Sequence, residues 1–415
     1  MPSPAAPTST PAWIATPSAG LQLNSVAVTP DGALSLCGTS NEFSTGQFGL
    51  YCYSSAGALL WQVPVTGANA TQGVFWVALS DDGRYAAGGG ETADGVGFLT
   101  ICDATNGTVL FNNQALAGRV NQLSFTADGS LLLAGFSNAL QLYKRSPVTG
   151  SFTLYSTATI DAQFDCISAE IAKDGSRVWL AAINYNTQPY SGLVETIDIK
   201  GGLFAIVNKY PLNTGAMRIA VTPDGNYAAA SLHTGGCALF GADQPGTPKW
   251  TYTPTFANLS LAYAVGITQT SAGNVVVACG TNQENSESGY LYVVDSVPSA
   301  SQIAFPKQWL PSLRWNATLE YSANPGVCLD REGTLVTATD GKPKEKTPHG
   351  APPRTYSDVT ISESPGNFYL FNATTGTQLW QYPTAIMNWP MVVTPDGSVA
   401  LGGSDDGSLY YWSLG

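Results

Sequence analysis

The stretch Arg218-Ile-Ala-Val-Thr-Pro-Asp-Gly225 decides the fold. A short apolar run enters Thr-Pro-Asp-Gly, and Asp-Gly is the chemistry of a tight hairpin: glycine supplies positive φ, and the aspartate side chain bonds its own backbone. A second run of small and apolar residues follows, so the unit reads as strand, tight turn, strand. The signature occurs eight times, at Thr29-Pro-Asp-Gly32, Ser80-Asp-Asp-Gly83, Thr126-Ala-Asp-Gly129, Ala172-Lys-Asp-Gly175, Thr222-Pro-Asp-Gly225, Thr270-Ser-Ala-Gly273, Asp330-Arg-Glu-Gly333 and Thr394-Pro-Asp-Gly397. The glycines stand 46 to 64 residues apart. The fifth residue after each glycine is small in seven copies (Cys37, Gly88, Ala134, Ala230, Ala278, Ala338 and Gly402), with Leu180 the exception. Small residues there allow neighbouring sheets to approach closely near a hub.

A third strand follows each copy, as in Gly97-Phe-Leu-Thr-Ile-Cys-Asp103 and Gly289-Tyr-Leu-Tyr-Val-Val-Asp295. A fourth often carries tryptophan, as in Leu59-Leu-Trp-Gln62 and Gln378-Leu-Trp-Gln381. Four strands in units of about fifty residues make a β-propeller blade. The expected fold is therefore all-β, a single eight-bladed propeller of four-stranded antiparallel blades. Blade limits fall near 22–63, 74–111, 119–157, 165–210, 216–252, 263–321, 324–382 and 388–415. The last copy stops after its third strand, and Pro11-Ala-Trp-Ile-Ala-Thr16 resembles the missing fourth. That segment, within a Pro/Ser/Thr-rich leader spanning 1–19, is expected to close the ring and remove its open edge.

Composition narrows the function classes. Net charge is −12, with 17 Lys plus Arg against 29 Asp plus Glu and no basic run, so nucleic acid is not an expected partner. No apolar run approaches the ~18 residues of a membrane span. Met1 to Ala19 lacks the charged and apolar regions of a secretory leader, which fits the cytoplasm as written, or an outside location for a trimmed mature form. The seven cysteines are scattered without a CxxC and read as small buried thiols; Cys37 and Cys52, on neighbouring strands, are the one pairing to test.

The Thr-Pro-Asp-Gly turns resemble those of prokaryotic WD-repeat-like propellers. Phe371-Asn-Ala-Thr-Thr-Gly-Thr-Gln-Leu-Trp380 and Cys102-Asp-Ala-Thr-Asn-Gly107 resemble the repeat of quinoprotein-like (PQQ-like) propellers. The likeness covers nearly the whole chain. It departs from true WD repeats in lacking Gly-His and Trp-Asp dipeptides, which implies that their His and Asp network is absent. It departs from many quinoprotein dehydrogenases in lacking an adjacent cysteine pair. Propellers of this kind host many unrelated activities.

Blade geometry sends the loops after strand two, and the connectors between blades, to one face, and the Asp-Gly turns to the other. The variable loops, among them Thr39 to Phe48 and Asn184 to Ser191, carry Phe43, Phe48, Tyr185, Tyr190, His233 and Tyr356; the connectors add Arg119, Met217, Arg218, Tyr263, Asn388 and Trp389. Aromatics with a few arginines suit anchoring of a peptide or stacking on a sugar; the bland alternative is that they fold back over the blade tops. The loop from Thr339 to Pro365, with Lys342, Lys344, Lys346, His349 and Arg354, reads as a docking segment or as an insertion with no partner. On the opposite face, Asp31, Asp81, Asp82, Asp128, Asp174, Asp224, Asp330, Glu332 and Asp396 form a ring, which reads as an attraction for cations or a basic partner or, for most of it, as turn chemistry.

Catalytic groups are few. The two histidines, His233 and His349, lie in different blades and no Gly-x-Ser-x-Gly elbow occurs. Glu170 stands in a first strand where the other copies place Ala27, Ala78, Ser124, Ala220, Thr268, Cys328 and Val392, and with Asp165 it is a weak catalytic candidate. No metal set and no cofactor is assigned. The sequence reading is a non-catalytic binding or scaffold propeller for a protein, peptide or glycan, of unassigned oligomeric state. The alternatives are a quinoprotein-like oxidoreductase and a carbohydrate-active hydrolase or lyase using channel carboxylates.

Overall fold

The structure, a computed structural model, describes residues 7–298, 309–342 and 364–415. Among them every regular element is a strand. The strands form eight four-stranded antiparallel units. Blade 4 shows the pattern: Asp165–Ile171, Arg177–Asn184, Ser191–Lys200 and Leu203–Leu212 pair in sequence, with Leu180 between Ala169 and Glu195. The eight first strands are Gln22–Val28, Ala70–Leu79, Val120–Phe125, Asp165–Ile171, Ala216–Val221, Leu259–Gln269, Ser322–Leu329 and Asn388–Val393. Their residues line a central cavity of about 390 Å³.

The ring closes through Trp13–Ala15, which pairs antiparallel with Leu409–Ser413: Trp13 opposite Tyr411, Ile14 opposite Tyr410, Ala15 opposite Leu409. The Trp13 ring stacks on Tyr411 with centroids 4.8 Å apart, and its indole N–H donates to the Ser55 carbonyl of blade 1 at 3.0 Å. One strand thus completes blade 8 and fastens it to blade 1.

The core is divided among the junctions. Eight clusters of buried apolar side chains fill the eight blade interfaces. In the first, Leu36, Leu50 and Trp61 of blade 1 meet Val74, Ala86 and Phe98 of blade 2. The small residues at the hub have the role expected of them. A Cβ added at Gly88 would overlap Leu50 of the preceding blade, and one at Gly402 would overlap Phe368.

Two expectations are corrected. Thr39 to Phe48 is mostly not a loop. The second strand of blade 1 runs Leu34–Gly46 and its far end pairs with Ala70–Leu79, joining blades 1 and 2 into one eight-stranded sheet. Phe48 is 0% exposed there, its ring lying against Gly73, whose φ is +81°. Cys37 and Cys52 are free, as are the other five cysteines. Cys52 stands opposite Leu36, so strand alternation turns Cys37 toward blade 8 and Cys52 toward blade 2.

Candidate functional site

The Asp-Gly face is explained by its own hydrogen bonds. In the first turn Thr29 Oγ1 donates to Asp31 at 2.6 Å, Asp31 accepts from the Ala33 N–H, and Thr29 Oγ1 accepts from the Leu34 N–H. The pattern repeats at Thr126, Thr222 and Thr394. The Thr29 hydroxyl holds Asp31, and the Thr394 hydroxyl holds Asp396, below the usual carboxylate range. At Asp330 the carboxylate itself replaces the hydroxyl, accepting from the Thr334 and Leu335 N–H groups.

The cavity walls differ in chemistry from one end to the other. Near the Asp-Gly face, Lys173 Nζ reaches Asp81 at 2.6 Å. Glu170 lies in the same wall; burial pushes its carboxyl up to about 7, with Lys173 and the Val221 N–H acting in the opposite sense. Asp165 begins the same strand and is exposed. Five residues of extended chain separate the two by about 16 Å, beyond the ~5–9.5 Å of a glycosidase carboxylate pair. Among the described residues no three His, Cys, Asp or Glu side chains are grouped as metal ligands.

Toward the variable-loop face the cavity is lined by Trp76, Gln122, Ser168 and Arg218. Ser168 Oγ donates to Gln122 at 2.5 Å and accepts from the Ile219 N–H at 3.1 Å. Arg218 extends from blade 5 to place its guanidinium carbon 5.2 Å from the ring centroid of Trp76, three blades away. Arg119 covers Phe75 at 4.2 Å and donates to Asn121 at 3.0 Å and Gln72 at 3.4 Å.

The connectors and loops of blades 4 to 6 stand beside these arginines. Tyr185, Tyr190 and His233 form a row of edge-on rings, with centroids 5.5 and 4.9 Å apart. Tyr185 is 48% exposed. Tyr190 and Tyr263 pack on a ninth apolar cluster, Ile183, Met217 and Leu261, which belongs to the loop face rather than to one blade junction. Tyr185 interacts electrostatically with Tyr263, Asp165, Arg119 and Tyr190; Arg218 does so with Tyr263, Arg119 and Tyr185. These groups therefore lie within electrostatic reach of one another.

Of the residues expected on this face, Arg119, Tyr185, Tyr190, Arg218 and His233 come together, with Tyr263 and Met217. Phe48 does not, being enclosed in a blade junction. Trp389 is half-buried in blade 8, where its carbonyl accepts from Thr339 Oγ1 at 2.8 Å, away from the cluster. The side chain of Phe43, and all of Tyr356, lie outside the described residues, as does the 343–363 part of the long loop. Sequence reasoning passed over Phe75 and Trp76. Shifting the first-strand alignment two residues from Ala78 and Ala220 reaches Trp76 and Arg218, and that is the signal that finds them.

No family model matches the sequence, and no curated protein matches it. Solved structures do resemble it. Sqt1 of Saccharomyces cerevisiae is similar over 96% of this chain and 97% of its own, with 13% identity and a TM-score of 0.65. The β-propeller domain of Cps50 (Swd1) from Myceliophteria thermophila is similar over 82% of this chain and 95% of its own, with 14% identity and a TM-score of 0.51. With the eight four-stranded blades, these likenesses make the fold that of a β-propeller. No described helix is long and apolar enough to cross a membrane.

Proposed function

We propose that the chain is a non-catalytic binding propeller that recognises a protein, through a peptide segment, at the variable-loop end of its channel. The observation that supports this most is the convergence of Arg119, Arg218, Tyr185, Tyr190 and Tyr263 around one mouth. Aromatic and arginine side chains supply most of the energy where one protein grips another, because they bury much area and still carry donors. Asp165 and Glu170, the two carboxylates considered as an acid and base pair, stand five residues apart on one strand, which favours binding over hydrolysis. The fold shared with Sqt1 and Swd1 is compatible with such a scaffold.

The test is a display library of random peptides selected on the wild-type protein and re-measured on Tyr185→Ala, Tyr263→Ala and, on the opposite face, Asp174→Asn. Tyr185→Ala and Tyr263→Ala are expected to weaken selected peptides at least tenfold, about 1.4 kcal/mol. Asp174→Asn should leave them unchanged. Equal binding by all four proteins would show that the mouth is not the recognition surface.

A further inference from the structure

Arg218 has an unusual position for a charged side chain. Nη1 is buried and has no hydrogen-bond partner. In a chain with twelve more acidic than basic residues, neither Arg218 nor Arg119 takes part in an ion pair among the described residues. Arg119 donates from Nε and Nη1 to the neutral amides of Asn121 and Gln72. Arg218 has Trp76 on one side, and a ring face attracts a cation without accepting its in-plane N–H groups. Burial holds its guanidinium down to about 10, with Arg119 adding to that effect and Tyr263 and Tyr185 opposing it. A guanidinium left without a counter-charge in a desolvated place is costly, and a donor left unmade there is costly too. Both penalties fall when an anion with two acceptor oxygens arrives.

We infer that Arg218 is the seat of a carboxylate presented by the bound peptide, an Asp or Glu side chain that enters the channel mouth between Trp76 and the Tyr185, Tyr190 and Tyr263 group. This rests on the binding-platform reading above and adds to it the chemistry of the partner. The planar fork of the guanidinium matches a carboxylate in two parallel hydrogen bonds. Arg119, close enough to act on Arg218, adds long-range attraction while its Nε and Nη1 stay bonded to Asn121 and Gln72. The surrounding rings exclude water and accept the flanking apolar side chains of the peptide. The recognised sequence is therefore an acidic residue beside aromatic or aliphatic ones.

The experiment uses the full chain and C-terminally amidated octapeptides, immobilised and randomised, with Asp, Glu and phosphoserine among the building blocks. It is run on wild type, Arg218→Gln and Arg218→Lys, each checked for an unaltered melting transition. Wild type should enrich peptides carrying Asp or Glu at one fixed position. Replacing that residue by Asn or Gln should weaken wild-type binding at least tenfold and leave Arg218→Gln binding unchanged, and Arg218→Lys should fall between the two. Enrichment of peptides without an acidic residue, still dependent on Tyr185 and Tyr263, would overturn the carboxylate seat and keep the platform. A requirement for phosphoserine in place of Asp or Glu would overturn it in favour of phosphate. Failure to enrich any peptide would count against both readings.

Discussion

Glu170 illustrates how a residue standing out in sequence acquires a physical meaning different from the one its type suggests. Other copies of the repeat place alanine, valine, serine, threonine or cysteine at its position, so a carboxylate there was legible as an anomaly. Its surroundings were not, because they come from other blades: Val221 from blade 5 and Cys328 from blade 7. Its carboxyl rises from 4.5 to about 7 mainly through burial. Between those values the folded protein binds more protons than the unfolded chain, so stability falls as pH rises through the interval and stays reduced above it. Glu170→Gln removes the charge and keeps the shape. It should raise stability at pH 8 by on the order of 1 to 3 kcal/mol, and the gain should vanish near pH 4, as read from urea unfolding at the two pH values. An equal effect at both would mean the carboxyl is ordinary. Phe48 is the opposite case. An aromatic in a variable stretch reads as a surface anchor, and only the long-range pairing of Ser40 with Gly73 shows that a junction encloses it.

Between elements, the recurring tryptophans act as fasteners. Trp61 of blade 1 donates to the Ala104 carbonyl of blade 2 at 2.7 Å and lies over Gly107, where an added Cβ would sit 3.0 Å from the ring. Trp315 of blade 6 does the same to Ala373 and Gly376 of blade 7, at 2.8 Å in each respect. Both glycines have φ of +75°, so a side chain there would meet strain as well as the indole. The Ala-Thr-Asn-Gly and Ala-Thr-Thr-Gly turns that resemble the quinoprotein-like repeat are thus the receiving half of a blade-to-blade contact. In this chain both turns serve blade packing. Trp61→Phe keeps an apolar ring and deletes the donor, leaving the Ala104 carbonyl short of a partner. A loss of about 1 to 2 kcal/mol is expected in equilibrium unfolding, and an unchanged midpoint would remove the hydrogen bond from the list of what joins the blades. The strand, the turn and the tryptophan were each visible in the sequence. Which blade a tryptophan touches was not, because that depends on how sheets stack around the hub.

For the whole molecule, the eightfold repeat and the closing strand were legible because every blade restates one pattern. The proposed binding mouth was legible only in part, since its members sit on connectors and loops of different blades. Closure makes a prediction of its own. A variant lacking residues 1–19 would lose the Trp13 ladder and expose the edge of Leu409–Ser413, so it should melt at a markedly lower temperature and associate through that edge. A melt matching that of the intact chain would show that blade 8 stands without its fourth strand. The same pairing joins Trp13 to Tyr411. At roughly 5 to 20 residues per second of synthesis, about 20 to 80 seconds pass between the two leaving the ribosome. Throughout that interval the amino-terminal strand lacks its ladder partner, and blade 1 lacks the blade 8 side of its junction. The ring therefore closes only after Leu409–Ser413 has been made, whatever order the other blades fold in.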